Sequence, residues 1–432
     1  MAYKTSNNPR HVNSWYAASA NDKQPRGVLQ GNLETDVCII GAGFTGISAA
    51  LELSERGYSV IVLEAERIGF GASGRNGGQI VNGYSRDLKT IAGRYGHEKA
   101  VQLGAMSLEG GEIIRNRIAR YDIDCALVEG GFFAAFTDKQ MRAMEAHKNH
   151  WESHGHPGLE MVSRSEVERY VKTDRYAGGM IDRLGGHIHP LNLVLGEAAA
   201  ATALGAQIFE GSRVISVNEG EKQTVRTPEG TVTAVYVLVC GNAYLSPLLP
   251  AINSRMMPVS SQVMATEPLG ASLIGELLPA NYCVEDANYI LDYYRRTADN
   301  RLLYGGGIGY GGNDPKDLTS VIRPNMLKTF PQLKDVRIDY AWSGNFALTL
   351  TRIPHVGRLA DKIYFSHGDS GHGVTTTHLL GKILGEVVAG HAERFDVWSS
   401  LPNLPFPGGK ALRVPLTALG AWWYGLRDRL GI

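Results

Sequence analysis

The chain has 432 residues, of which 44% are hydrophobic and 20% charged, enough for two or three domains and a core that needs no disulfide staples. Lys plus Arg equals Asp plus Glu at 43 each, so no overall field draws the protein to nucleic acid, and no local basic stripe supplies one. Four scattered cysteines offer no close pair to grip zinc, and no apolar run approaches the roughly 20 residues that would span a bilayer. The first 30 residues lack the apolar stretch of a secretion signal, so a cytoplasmic protein is expected.

The first strong pattern begins at Val37. Val37-Cys38-Ile39-Ile40 has the length and composition of a buried strand, and Gly41-Ala42-Gly43-Phe44-Thr45-Gly46 follows at once. Ile47, Ala50, Leu51 and Leu53 then carry a helical period that Gly57 closes. Val60–Leu63 completes a strand-helix-strand unit ending on Glu64. In such a unit Gly41 allows the tight turn, Gly43 lets backbone approach a pyrophosphate, and Gly46 lets helix and strand pack closely. Glu64 stands 18 residues past Gly46, where a carboxylate can accept hydrogen bonds from an adenosine ribose. Dinucleotide binding follows, but this unit alone serves FAD or a nicotinamide cofactor equally.

Ala72-Ser73-Gly74-Arg75-Asn76-Gly77-Gly78-Gln79 comes next, small residues with one cation, a composition suited to backbone and hydroxyl contacts with a pyrophosphate and a flavin ring. A glycine-rich surface loop would read the same way. Residues 91–184 look largely helical, with Ile113, Ile114, Arg117 and Ile118 preceding Tyr121. His187 and His189 stand two apart, but no third metal ligand accompanies them. Gln207–Val217 reads as a strand, and so does Val235–Cys240, which ends on Gly241. Within 251–342, Tyr289–Arg296 and Arg301–Tyr304 are strand-like. Ile363–Phe365 leads through His367-Gly368-Asp369-Ser370-Gly371-His372-Gly373-Val374 into a helix with Leu379, Leu380, Ile383, Leu384, Val387 and Val388 on one face. A second glycine-fed helix terminus, so far from the first, suits stabilisation of negative charge on a reduced flavin and favours FAD. After three prolines a final helix is expected around 415–430, with Leu416, Leu419, Trp423, Leu426 and Leu430 in one stripe and Arg427 and Arg429 nearby. That stripe would dock on the protein's own body or, less readily, lie on a membrane surface.

These segments resemble the D-amino-acid-oxidase-like family of FAD-dependent oxidoreductases, and within it the bacterial gamma-glutamylputrescine oxidases. The likeness runs through SWYAASAN, the Gly41–Gly46 unit, EAERIGFGASGRNGGQ at 64–79, residues 186–214, VLVCGNAYL at 237–245, WSGNFALTLTRIPHVGRL at 342–359, residues 364–390 and residues 406–431. It implies an α/β chain in two domains (α+β overall). A discontinuous Rossmann-like FAD-binding domain would comprise 1–90, 185–250 and 343–410, a mixed-sheet substrate domain 91–184 and 251–342, and a helical tail 411–432. Cofactor contacts are implied at Gly41, Gly43, Phe44, Thr45, Gly46, Glu64, Ala65, Arg67, Ala72, Ser73, Arg75, Asn76, Gly77, Gly78, Gln79, Val214, Cys240, Gly241, Gly371, His372, Gly373, Val374 and Thr375. The 72–79 stretch holds neither His nor Cys, the residues through which some relatives attach FAD, so a noncovalent cofactor is implied.

Tyr289, Trp342, Phe346, Arg352 and His372 are the candidates for the substrate pocket. Amino-acid-oxidising relatives commonly carry an arginine two residues after the glycine that aligns with Gly344, gripping a substrate α-carboxylate; here the position is Phe346. An apolar ring cannot balance a carboxylate, so the implied small-molecule substrate is an amine such as gamma-glutamylputrescine or a related polyamine derivative. Its C–N bond would be oxidised to an imine that hydrolyses to an aldehyde, with O2 reduced to hydrogen peroxide. An amino or imino acid oxidase, or a dehydrogenase with another electron acceptor, is the alternative. No catalytic base and no oligomeric state can be read from the sequence.

Overall fold

The computed structural model describes residues 10–245 and 248–430, without the side chains of residues 251, 410 and 424–430. Its first sheet runs, edge to edge, His355–Ala360, Ile363–His367, Gly230–Val239, Gly31–Ile40, Val60–Leu63 and Gln207–Phe209. Gly31–Ile40 lies parallel to both neighbours, Gly230–Val239 and Val60–Leu63. Parallel strands covered on both faces read as unbroken apolar runs, which is why Val37–Ile40 and Val237–Val239 are buried at every position. Two helices, Phe44–Glu55 and Gly373–Val388, pack closely on one face of this sheet. Gly381 permits the approach, since a Cβ there would stand 2.7 Å from the Thr45 carbonyl oxygen.

The second sheet is mixed. Its order is Ile338–Thr349, Met256–Thr266, Leu302–Tyr310, Tyr293–Arg296, Cys283–Asp286, Val128–Ala135, Gly178–His187 and Gln79–Ile80. All these pairings are antiparallel except that of Cys283–Asp286 with Val128–Ala135. Strand alternation divides its faces. Met264 and Tyr304 pack with Ile322 and Met326 of the helix Thr319–Thr329 on one side, while Val259, Ser261 and Val263 turn to a cavity on the other.

Several expected boundaries shift. The helices Leu88–Tyr95, His97–Met106 and Glu109–Arg120 pack into the core of the first sheet, so 91–184 divides between the two halves. The rest of that segment contributes Val128–Ala135, Leu159–Ser163 and most of Gly178–His187 to the second sheet, more strand than the helical pattern suggests. The strand Ile338–Thr349 runs through residue 343, where the sequence division was drawn. Gln207–Val217 is two short strands, Gln207–Phe209 and Ser216–Asn218. Between them Glu210 turns inward to pair with Arg67 at 2.7 Å and to accept the Ile68 N–H at 2.8 Å, which takes the chain out of the ladder. Only Tyr293–Arg296 of the stretch from Tyr289 is strand; Tyr289 and Leu291 leave the sheet to line the cavity.

Behind the two packed helices, Glu197 is wholly buried between Arg117 at 3.0 Å and His378 at 3.1 Å. Burial opposes ionisation of Glu197, but the charges of His378 and Arg117 outweigh it and hold the carboxyl below its ordinary range.

The final helix spans Gly409–Leu430. Its docked side carries Arg413, which donates to the carbonyls of Asn253 and Met256, together with Val414 and Ala421. Leu416, Leu419 and Trp423 of the expected docking stripe face solvent instead, beside Leu412 and Trp422. The side chains of Leu426, Arg427, Arg429 and Leu430 lie outside the described residues. Among the described residues no helix is long and apolar enough to cross a membrane.

Candidate active site

The glycine fingerprint is required by packing. Gly41 has φ +104°, and a Cβ on it would sit 3.0 Å from the Cys240 carbonyl oxygen. A Cβ on Gly46 would meet the Gly41 carbonyl oxygen at 1.9 Å, and one on Gly43 would meet Ser73 Oγ at 2.9 Å. The turn, the strand Gly230–Val239 with its exit, and the 72–79 loop therefore close on one point. Gly43 stands at the start of the helix Phe44–Glu55 and has no side chain to cap it, so apart from the Phe44 N–H the positive end of that helix is left open to a ligand. The Phe44 N–H donates to Ser73 Oγ at 2.9 Å, tying the loop to the helix start.

Glu64 accepts the N–H of Ala42 at 2.8 Å and that of Glu66 at 2.9 Å, and burial pushes its carboxyl upward. A carboxylate has about four acceptor sites, so these bonds orient Glu64 and leave capacity for a ribose. Ala65 and Val214 are half-buried, and Val214 packs on the core that includes Ile40 and Leu63. Gly241 approaches Leu245, where a Cβ would stand 2.6 Å from Cδ2, and the Cys240 thiol is pushed up to about 12 by burial. Arg67 is committed to Glu210 and to the carbonyls of Lys23 and Gln24, a structural tie.

A cavity of ≈ 440 Å³ opens between the two sheets. One side is built by Phe44, the loop residues Ala72, Ser73, Arg75, Asn76, Gly77 and Gln79, and the segment Asp369–Val374. Gly78, at φ +76°, has no room for a Cβ because the Ile188 carbonyl oxygen would be 2.3 Å away. His372 heads the helix Gly373–Val388 with no side-chain cap, giving the cavity a second bare helix terminus. Burial, helped by the Arg352 charge, lowers His372 to about 4, so it is neutral near pH 7. Asp369 accepts from Asn242 Nδ2 at 2.7 Å, although burial still raises its carboxyl.

These residues fit a flavin dinucleotide. Arg75 reaches the Ser343 carbonyl at 3.4 Å, yet its Nε and Nη2 are buried with no hydrogen-bond partner among the described residues. Orphaned cationic donors beside two uncapped helix termini are what pyrophosphate oxygens and ring carbonyls require.

The opposite wall comes from the second sheet: Val259, Ser261 and Val263, Ile308 and Tyr310, Phe346 and Leu348, with Tyr293 and Glu285 further along. Tyr289, Phe346, Arg352 and His372, expected from sequence, meet here. Two expected residues do not. Trp342 is buried beneath the loop, donating its indole N–H to the Arg75 carbonyl at 2.9 Å and packing against the Tyr16 ring, so it supports the wall without reaching the cavity. Thr375 faces away, its hydroxyl donating to the Val81 carbonyl at 2.7 Å; Thr377 lines the cavity instead. His187 and His189 take structural bonds, His187 with the Asn281 carbonyl and His189 as acceptor for the Asn192 N–H.

Glu285, Arg86, Ser261 and Tyr310 were missed. Glu285 is one of two adjacent acids in Cys283-Val284-Glu285-Asp286, and only strand alternation could have separated it from Asp286 and placed it on the face of Cys283. Burial raises its carboxyl to about 7. The arrangement can therefore hold a cation at Glu285 beside an apolar wall, facing a dinucleotide loop.

The family profile described as FAD dependent oxidoreductase (DAO) matches residues 36–387. The chain is 54% identical over 423 residues to the gamma-glutamylputrescine oxidoreductase of Escherichia coli K12, covering 98% of this chain and 99% of that protein. It is 39% identical to the probable oxidoreductase OrdL of Haemophilus influenzae, covering 97% and 98%. Among solved structures, the L-proline dehydrogenase of P. horikoshii superposes with a TM-score of 0.71 at 20% identity, over 94% of this chain and 99% of that one. The glycine oxidase of Geobacillus kaustophilus gives 0.67 at 22%, over 83% and 95%. With the strand-glycine-helix unit, both uncapped helix termini and the sheet-roofed cavity all inside the matched span, the chain belongs to the FAD-dependent oxidoreductase family and is an oxidoreductase that uses FAD.

Proposed function

We propose that this enzyme oxidises the primary amine of gamma-glutamylputrescine, or of a closely related acylated diamine, to an aldehyde, with O2 as the electron acceptor. The gamma-glutamylputrescine oxidoreductase likeness over nearly the full chain supports the substrate class. The observation that carries the reading is the cavity wall itself: Phe346 with Val259, Ile308 and Leu348 gives an apolar surface for a methylene chain, and Glu285 gives that surface an acidic end. Such a wall suits an alkyl ammonium and offers no arginine at position 346 for an α-carboxylate.

The Gly41–Gly46 turn, Glu64, the 72–79 loop and the start of the helix Gly373–Val388 would hold FAD noncovalently, and the bound cofactor would supply a two-electron acceptor that O2 reoxidises. Glu285, ionised above about pH 7, takes the proton of the incoming ammonium, because only the neutral amine can give up electrons from its carbon. Phe346 and its neighbours exclude bulk water during that step. The substrate loses two electrons and two protons, water adds to the resulting imine, and ammonia leaves the aldehyde; O2 gains two electrons and two protons to become hydrogen peroxide. The reading includes a cytoplasmic enzyme acting on a small molecule.

The test is anaerobic mixing of the yellow holoenzyme with putrescine, gamma-glutamylputrescine, proline, glycine and glutamate, followed by a peroxide assay in air. Bleaching by the acylated diamine with stoichiometric peroxide is expected. Faster bleaching by an α-amino or imino acid would overturn the substrate class, and bleaching without peroxide would overturn the acceptor.

A further inference from the structure

Two arginines line the cavity far from Glu285. Arg86 precedes the helix Leu88–Tyr95, and its acidic neighbour Asp87 is spent on capping that helix, accepting the Thr90 N–H at 2.7 Å and the Thr90 hydroxyl at 2.9 Å. Arg352 projects from a tight turn in which Thr349 Oγ1 donates to the Ile353 carbonyl at 2.8 Å. Its backbone is held at φ +60°, a left-handed conformation costly for a side chain of this size and kept only where the surroundings demand it. Its guanidinium lies 4.8 Å over the Tyr289 ring and donates to that residue's hydroxyl.

The two cations converge. Burial lowers the Arg86 guanidinium, and the next contribution is the charge of Arg352. Among the described residues neither forms an ion pair with a carboxylate, and Arg86 Nε is buried without a hydrogen-bond partner. Like charges gathered in a cavity, with an orphaned donor and no counter-ion, call for an anionic ligand.

Glu285 is too remote to serve. Burial alone perturbs it, with no contribution from either arginine. The sheet gives the separation: Glu285 pairs with Tyr293 and Tyr293 with Gly305, while Tyr310, which feels the charge of Arg352, lies five residues further along the same strand. At ~3.4 Å per residue that is roughly 17 Å along the strand. In gamma-glutamylputrescine about ten bonds separate the reacting nitrogen from the carboxylate carbon, roughly 12 Å when extended.

We propose that Arg86 and Arg352 form a carboxylate clamp at the end of the cavity opposite Glu285, which selects amines bearing an acidic group remote from the reacting carbon. This rests on the amine-oxidase reading and deepens it: the clamp separates acylated diamines with an amino-acid head from bare polyamines and neutral amides.

The experiment compares kcat/KM for gamma-glutamylputrescine with that for N-acetylputrescine, which keeps the amine and amide but lacks the carboxylate. Wild-type holoenzyme is expected to favour the former by about 100-fold or more, and each of R86Q and R352Q to lower that ratio by about tenfold. The double variant should abolish the preference. An unchanged ratio in the double variant, or in both single variants should the double fail to fold, overturns the clamp. In parallel, gamma-glutamylpentylamide, with a methyl group in place of the terminal amine, is titrated by calorimetry. Arginine-dependent binding without turnover of any amine would leave the clamp standing and refute the proposed reaction. Amine turnover with an arginine-insensitive ratio and arginine-insensitive binding would refute the clamp alone.

Discussion

Replacing Glu285 by glutamine keeps the side chain's size and removes its charge, so it isolates what the acid contributes. Burial moves this carboxyl from 4.5 to about 7, which makes ionisation about 3 kcal/mol less favourable in the folded protein. Below pH 7 the group is protonated and can neither pair with an ammonium nor accept its proton. Wild-type kcat/KM should therefore rise about tenfold per pH unit up to about 7 and then level off. A hydrogen bond to a charged partner is worth about 1.5–3 kcal/mol, so at pH 8 E285Q should lie roughly 10- to 150-fold lower, with the limb near 7 gone. The assay is kcat/KM for the amine from pH 5.5 to 9. A stability readout accompanies it. The folded state binds this proton more tightly than the unfolded one, so the penalty is absent below about pH 4.5, grows as pH rises, and is complete above about 7. E285Q should accordingly raise the thermal midpoint at pH 8 and leave it nearly unchanged at pH 4.5. A limb near pH 7 that survives in E285Q would refute the assignment, whatever the midpoint does.

Phe346→Arg sets a cation on the apolar wall and should lower kcat/KM for the amine at least tenfold; unchanged kinetics would put Phe346 outside the substrate's path through the cavity. Glu197→Ala leaves Arg117 and His378 buried and unpaired, and should cost about 3–5 kcal/mol in urea unfolding, with a loss under 1 kcal/mol refuting the buried triad's role. Gly46→Ala forces a methyl to within 1.9 Å of the Gly41 carbonyl oxygen, so the purified protein should lack yellow colour; a variant replete in FAD would mean the turn relaxes at little cost.

Local chemistry was legible wherever one short segment carried the whole message. The unit from Val37 to Glu64 could be read because its glycines, strand and helix are contiguous, and at Gly41 and Gly46 a side chain would meet backbone carbonyl oxygens. The apolar stripe after Gly373 was readable for the same reason. Arg352 was expected at the pocket, but Glu285 and Arg86 were not, since they come from separate elements, and a charged residue looks the same on a surface as in a pocket. Trp342 shows the opposite limit: it was expected to line the pocket, but the 72–79 loop lies over it, and a sequence says nothing about what covers a strand's face. Glu210 interrupted a strand that hydrophobicity alone would have continued, because pairing with Arg67 outweighs one more ladder contact. The tail misled differently. Its stripe is genuine, yet Arg413 and Val414 chose the docked side.

The pairing of Gly31–Ile40 with Gly230–Val239 bears on how the protein is made. Its partner is synthesised roughly 200 residues later, which at ~5–20 residues per second means a wait of about 10–40 s with one side of an apolar strand unclosed. The nucleotide fingerprint emerges first but cannot mature first. Nascent chains should thus be exposed to edge-to-edge association until the middle of the message is read, and chaperone dependence, along with slow recovery from denaturant, is the expected signature of so long-range a closure.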